Sequence, residues 1–201
     1  MVNCRKTTRG LDTPRVKELT AAWLYARRIG RPLNTMVSLR PLDIDYLPPI
    51  DRCKLFASFR NKLGVYARLR GFSPTFVWTR EVSLDGRGEH LHVLMHVPRR
   101  LSVDFEETLI GWFPRPAEMH VQTADYRVKV VERSGRRHSA IGYLCKQMTP
   151  QAWYRRGLTR KAGGPIVGKR GGVSASLTAK AIASHEGAQD SEHIAPVAMA
   201  A

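Results

Sequence analysis

The amino-acid sequence predicts an α+β protein, built as an antiparallel β-sheet with helices on one face and the other face open. Residues 51–69 repeat apolar side chains at helical spacing, with basic residues on the opposite side. Residues 74–84 and 89–97 form short runs of aromatic, β-branched or alternating apolar residues, which favour strands. Asp85-Gly86 lies between these two runs and predicts a hairpin that makes them antiparallel neighbours.

Helices and strands follow one another along the rest of the chain. Helices are predicted at residues 14–29, 103–113 and 137–148, where Thr13-Pro14 and Ser102 are start signals and Thr149-Pro150 is a stop signal. Further strands are predicted at residues 34–40, 118–122 and 127–132. After the first helix the order is β-α-β-β-α-β(β)-α, close to that of ferredoxin-like sheets.

The length of 201 residues predicts one domain with an extension at each end. Residues 1–32 form an N-terminal helical extension, residues 33–150 the sheet domain, residues 151–183 a basic C-terminal segment and residues 184–201 a disordered tail. Phosphate contacts are expected from the basic segment, unless it is only a solvated tail; the candidates are Arg155, Arg156, Lys169 and Arg170.

The charge balance points to a polyanionic partner. With 33 Lys and Arg against 17 Asp and Glu, the net charge is +16, which favours nucleic acid, with an anionic membrane surface as the competing polyanion. The sequence contains no apolar run near the roughly 20 residues of a membrane span, and MVNCRKTTRG lacks the apolar core of a secretory signal. Three cysteines, an odd number without ligand spacing, argue against a disulfide framework or thiolate zinc site and fit a reducing cytoplasm.

Histidines concentrate on one face of the strand EHLHVLMHV. Alternation places His90, His92 and His96 on one face and apolar residues on the other. Imidazole binds divalent transition metals, and ligands at adjacent same-face positions can share one ion. The strand therefore indicates a metal site above a core, or else a solvated face that carries histidines.

The hairpin turn supplies a register for this strand. A type I′ turn at Asp85-Gly86 places Glu81 opposite His90 and Thr79 opposite His92. The opposite faces of the two strands then form a buried apolar layer, made of Phe76, Trp78, Val93 and Met95.

A carboxylate and two imidazoles with open coordination positions suit Mg²⁺ or Mn²⁺. The predicted metal ligands are therefore Glu81, His90 and His92, while His96 is a DNA contact or a spectator. Glu81 could instead form a cross-strand salt bridge, for example to Arg87. Glu89 or Asp85 could replace Glu81 as the acidic ligand, although parity places Glu89 on the other face.

The order of three motifs resembles the HUH endonucleases, the rolling-circle replication initiators and their relatives. The motifs are the strand NTMVSLR at residues 34–40, HLH at residues 90–92 and YLCK at residues 143–146. The text around them is most similar to small initiator-like proteins of bacterial mobile elements, over residues 30–177. One departure is Gln147, where many relatives have an aromatic residue or glycine.

The resemblance implies an activity and a partner. Tyr143 would attack a phosphate of single-stranded or hairpin origin DNA, leaving a 5′-phosphotyrosine link and a free 3′-hydroxyl, and Lys146 would orient the phosphate or stabilise the phenolate. Any unwinding would need a host helicase, supercoiling or a single-stranded target. A non-catalytic ferredoxin-like nucleic-acid-binding regulator and an HUH transposase remain the alternatives.

Overall fold

A five-stranded antiparallel sheet organises the chain in the computed structural model, which describes residues 6–112, 117–123, 130–131, 137–138, 140–154 and 161–185. The first elements are β1 (Thr7–Thr8), α1 (Thr13–Arg28), β2 (Thr35–Pro41), α2 (Pro49–Leu69), β3 (Phe76–Glu81), β4 (His90–Met95), α3 (Ser102–Gly111) and β5 (Ala117–Thr123). They are followed by β6 (Val130–Val131), β7 (Arg137–His138), α4 (Ala140–Leu144), α5 (Pro150–Tyr154), β8 (Ile166–Val167) and β9 (Gly171–Val173).

The strand order in the central sheet is β5-β2-β4-β3-β9, and all neighbouring strands are antiparallel. Two short pairs, β1 with β8 and β6 with β7, lie outside this sheet. The prediction of an α+β protein with an antiparallel sheet is confirmed. The predicted segments 14–29, 34–40, 51–69 and 118–122 match α1, β2, α2 and β5 within two residues at each end.

The predicted helix at residues 137–148 is wrong at both ends. Residues 137–138 belong to β7, and α4 ends at Leu144. The next turn tightens, because the Lys146 amide donates to the Tyr143 carbonyl at 3.2 Å. The chain then pairs with Leu11, whose amide and carbonyl bond Gln147 and Thr149. Of the predicted strand at residues 127–132, only β6 falls within the described residues.

Helices pack on both faces of the sheet, so the prediction of helices on one face and an open second face is wrong. One face carries Val37, Trp78 and Leu91 and packs against α2 and α3. The histidine-bearing face also carries Val77 and Leu94, which are cross-strand partners and pack against α1 and α4. Apolar side chains at these two positions need a second covering layer, because exposed they would cost hydrophobic free energy.

The hairpin has the predicted register but a different turn. Glu81 lies opposite His90, and Phe76 lies opposite Met95, as expected. Asp85 lacks the positive φ that a type I′ turn requires, whereas Gly86 has φ +80° and its amide donates to the Ser83 carbonyl.

The register is restored beyond the turn. The Ser83 amide donates to the Arg87 carbonyl, one position short of the strand register. Val82 therefore lies opposite two residues, Gly88 and Glu89, and Gly88 has φ +62° in this bulge.

Two further observations concern the expected environment of the chain. In the described part of the chain, no helix combines the length and apolarity that a membrane span would need. Cys145 is a free, buried thiol, whereas Cys53 is disulfide-bonded.

A buried ion pair joins β3 to the start of β4. Arg80 Nε donates to Glu89 Oε1 at 2.7 Å, and the two side chains are 2% and 4% exposed. A second donor of the same guanidinium bonds the Val167 carbonyl at 2.8 Å. Burial raises the pKa of Glu89 and lowers the pKa of Arg80, in each case against the attraction of the partner. Each buried charge is therefore stabilised by the opposite charge of its partner.

We expect Glu89→Gln to lower the free energy of unfolding by about 3–5 kcal/mol, because it leaves the buried Arg80 charge without a counter-ion. The measurement is urea unfolding followed by circular dichroism. Glu118→Gln is the matched control, since its pair with Arg40 spans 3.9 Å between half-exposed side chains and should contribute less than about 1 kcal/mol. Equal losses in the two variants would contradict a structural role for the buried pair.

Candidate metal centre

Three potential metal ligands converge where β3 ends and β4 begins. Glu81 Oε2 lies 3.3 Å from His90 Nε2 and 3.6 Å from His92 Nε2. All three ligand atoms lie within 4.8 Å of one another. Ligand atoms bound about 2.1 Å from one ion are roughly 3.0–3.4 Å apart, so this spacing suits a shared cation. The predicted ligand set of Glu81, His90 and His92 is therefore brought together as one group that could bind a metal ion.

Hydrogen bonds at the far side of each imidazole direct Nε2 toward the carboxylate. His90 Nδ1 lies 2.9 Å from the Gly88 carbonyl, which can only accept, so Nδ1 carries the proton. His92 Nδ1 lies 2.7 Å from Ser38 Oγ on β2. Such bonds orient histidine ligands and leave the Nε2 lone pair available. Gly88 has a second role here, since its bulge also turns its carbonyl toward His90.

The burial and the charge state of this group favour the binding of a cation. Glu81 is 2% exposed, and its burial alone would raise its pKa. The adjacent imidazoles of His90 and His92 and the charge of Lys146 outweigh burial and hold the pKa of Glu81 well below its ordinary value. Burial lowers the pKa of His92, which favours the neutral, ligating imidazole. Glu81 Oε1 and His92 Nε2 are buried without a hydrogen-bond partner in the described structure, and a cation would satisfy both.

The other candidate ligands have other partners. Glu89 bonds Arg80 on the opposite face, and Asp85 accepts from the Arg87 amide at 3.1 Å in the turn. Glu89 lies on the opposite face, as strand alternation predicted, and Glu81 is the acidic member of the group. His96 Nδ1 lies 2.9 Å from the Pro32 carbonyl, away from the group.

Tyr143 and Lys146 lie against the same group. The Tyr143 ring meets the His92 ring edge-on, with centroids 5.3 Å apart. Lys146 Nζ lies 3.5 Å from the Tyr143 ring centroid and 2.9 Å from Glu81 Oε2. The ammonium therefore connects the tyrosine to the carboxylate through a cation–π contact and a charge-assisted hydrogen bond.

Gln147 fixes the position of this tyrosine and lysine relative to the hairpin, a role that sequence analysis missed. Its Nε2 donates to the Val82 carbonyl at 2.9 Å, and its Oε1 accepts from the Val82 amide at 3.2 Å. Arg170 Nη1 donates to the same Oε1 at 2.6 Å. The side-chain amide thus bonds both backbone groups of Val82, as a neighbouring β-strand would, next to Glu81. The only sequence signal was that Gln147 departs from the family pattern.

The predicted nucleic-acid contacts fall into three groups. Arg155 and Arg156 lie outside the described residues. Lys169 is exposed. Arg170 is 3% exposed, and its guanidinium donates to Gln147, the Thr8 carbonyl and the Gly164 carbonyl. Arg170 therefore joins segments of the chain inside the protein and is not exposed for contact with a phosphate.

Comparisons of this chain with protein-family models, with curated proteins and with solved structures find no match. The assignment of the metal group and of the neighbouring tyrosine therefore depends on the geometry of this chain. That geometry combines a buried carboxylate, two imidazoles with available Nε2 atoms, a phenol and an ammonium within one small volume.

We expect Glu81→Gln and His90→Ala each to weaken Mn²⁺ binding at least about tenfold, the size of effect seen even for residues that only support metal ligands. The measurement is isothermal titration calorimetry of the metal-free protein. His96→Ala is the control, because it removes an imidazole from the next part of the chain without touching the group. Unchanged Mn²⁺ affinity in the first two variants would show that the metal assignment is wrong.

We expect Lys146→Met to strengthen Mn²⁺ binding about fivefold or more, because removing a like charge a few ångströms from the ion relieves on the order of 1 kcal/mol of repulsion. The same titration measures it. Lys161→Met, which removes an exposed ammonium, should leave the affinity unchanged. Weaker binding in Lys146→Met would contradict the view that the ammonium and a metal ion compete for Glu81.

Proposed function

We propose that this protein is a metal-dependent enzyme that nicks and rejoins single-stranded DNA through a covalent 5′-phosphotyrosine intermediate. The observation that carries the proposal is the convergence of Tyr143 and Lys146 with the metal-ligating group formed by Glu81, His90 and His92. A phenol beside a cation site and an ammonium is an arrangement suited to attack on a phosphodiester. The biological role that fits is initiation of rolling-circle replication of a plasmid, phage or other mobile element.

Each residue has a distinct part in the proposed reaction. Tyr143 Oη forms the new bond to phosphorus, the bond to the 3′ oxygen breaks, and that oxygen leaves as a 3′-hydroxyl after taking up a proton. The phenol proton passes to a base or to solvent. Lys146, which lies over the tyrosine ring, is placed to stabilise the phenolate or to hold a phosphate oxygen. Because the tyrosyl phosphodiester conserves the bond energy, the same steps in reverse rejoin the strand.

Mg²⁺ or Mn²⁺ fits the donor set, which is one carboxylate and two imidazoles. When bound, the ion would act as a Lewis acid that polarises the scissile phosphate. Glu81 supplies the negative charge that holds the ion. His90, whose side chain is 29% exposed, marks the side from which DNA would approach, since His92 and Glu81 are buried beneath it.

The sheet supports the same proposal. From β2 to β5 the elements follow the order β-α-β-β-α-β, and the strands lie in the order β5-β2-β4-β3. This is the ferredoxin-like arrangement that the resemblance to the HUH endonucleases implies. Histidines on a central strand with the tyrosine on a C-terminal helix also agree with that resemblance.

Tyr143 contacts His92 of its own chain, and α4 packs in the same apolar cluster as α1, so one chain brings together the whole candidate site. A non-catalytic nucleic-acid-binding regulator would have no use for a buried carboxylate with an unsatisfied oxygen beside two imidazoles.

We expect wild-type protein with Mn²⁺ to form a covalent adduct with single-stranded DNA, and Tyr143→Phe to lose it completely, since phenylalanine has no nucleophilic oxygen. The probe is a pool of random-sequence oligonucleotides labelled at the 3′ end, because the proposed link joins the protein to the 5′ end of the downstream fragment. Denaturing gel electrophoresis detects the adduct.

Tyr154→Phe is the matched control and should keep the adduct, because Tyr154 lies in α5 with 86% of its surface exposed. EDTA should abolish the adduct in the wild type. An adduct that persists in Tyr143→Phe would exclude this tyrosine as the nucleophile. Cleavage without any adduct would instead indicate hydrolysis by a different mechanism.

A further inference from the structure

A basic site, separate from the candidate metal centre, lies on the opposite face of the sheet. Two cavities of about 410 and 380 Å³ lie between α2 and the segment that follows β9, and they share wall residues, among them Arg60, Asn61 and Ser174. We call them together the basic groove. Arg68 lines one end and Lys169 the other. Among the residues that the structure describes, no carboxylate lines either cavity.

Arg60 lies at the centre of the basic groove, where its guanidinium stacks on Trp78. Its guanidinium carbon lies 3.7 Å from the centroid of the Trp78 ring, and Trp78 is 6% exposed. Stacking on a buried indole fixes the guanidinium plane and leaves its N–H edges free to donate. In the described part of the chain, no hydrogen bond or ion pair satisfies these donors. Burial and the nearby charge of Arg80 lower the pKa of Arg60 to about 10, which reflects a positive charge without a counter-ion.

The other polar groups of the basic groove suit an extended anion. Asn61 and Arg68 are exposed on α2, and Lys169 is exposed at the other end. Arg60 and Arg68 are eight residues apart on one helix, a rise of about 12 Å, which exceeds the size of a single phosphate group. The nearby Arg80 charge is already paired with Glu89. Within the described ranges, the cavity-lining charges without an ion-pair partner are therefore those of Arg60, Arg68 and Lys169.

We propose that the basic groove binds successive phosphate groups of a single-stranded nucleic acid. Cavities of this size admit one strand, while a duplex is too wide to enter between a helix and a sheet edge. The net charge of +16 favours a nucleic acid over an acidic protein segment as the polyanion. The site is independent of the metal centre, because the Trp78 side chain faces away from His92. A strand held there would stay bound while another part of it is free to reach the metal-bearing face.

The test measures binding of a fluorescein-labelled oligothymidine by fluorescence anisotropy in EDTA, over a series of salt concentrations. Arg60→Gln and Lys169→Gln should each weaken binding about tenfold, as expected for one lost charge-assisted hydrogen bond. Each should also reduce the slope of log affinity against log salt by about 0.7, the value for one phosphate contact on a single strand. Lys169 is exposed, so its variant keeps the test valid if Arg60→Gln is unstable.

Lys54→Gln is the matched control, because it removes one exposed charge from the same helix outside the basic groove and should change neither value. The same loss in all three variants would show that only net charge matters and would overturn the site. Equal competition by duplex DNA or by polyglutamate would overturn the assignment to a single strand of nucleic acid. Because EDTA removes any metal, this binding measurement is independent of the Tyr143 adduct. If the Arg60→Gln and Lys169→Gln variants lose binding but the wild type forms no adduct, only the nuclease proposal is refuted. If the wild type forms the adduct but the two variants bind normally, only the groove proposal is refuted.

Discussion

The antiparallel register between β3 and β4 is the constraint on which the rest of the site depends. Because successive residues of a strand face opposite sides, this register places Glu81 beside His90 and His92 on one face. It places Glu89, paired with Arg80, on the other. The bulge at Gly88 absorbs the extra residue between the turn and the strand. A shift of this register by one residue would place Glu89, and not the histidines, on the same face as Glu81. It would bury the histidines among apolar side chains.

Buried charge connects this hairpin to the C-terminal part of the chain. Glu81 is anionic in a water-poor position, and Lys146 supplies the nearest full positive charge. Gln147, the next residue, bonds both backbone groups of Val82, so the chain that carries Lys146 is fixed beside the strand that carries Glu81. Arg170 extends the connection to the residues before β9. The tyrosine is therefore positioned by polar contacts on one side and by the apolar cluster of α1 and α4 on the other.

The two faces of the sheet thus offer different chemistry. One face has a carboxylate and two imidazoles for a metal ion, beside a phenol. The other has guanidinium and ammonium groups without counter-ions among the described residues, and one of these groups stacks on Trp78. Trp78 and Glu81 both belong to β3, so one β-strand contributes to both sites. If both proposals hold, this division separates holding a nucleic acid from cutting it.

The sequence by itself determined the antiparallel hairpin, its register and the grouping of Glu81 with His90 and His92, because strand alternation and an Asp-Gly turn signal are local properties. Tyr143 and Lys146 were indicated by the resemblance of the motifs to the HUH endonucleases. The turn type differed because the two positive-φ residues are Gly86 and Gly88, and not Asp85 and Gly86. Only the tertiary structure decided that α1 covers the histidine face, that Arg170 is buried, and that Gln147 bonds Val82. These are contacts between residues far apart in the chain, which depend on packing that no local pattern records.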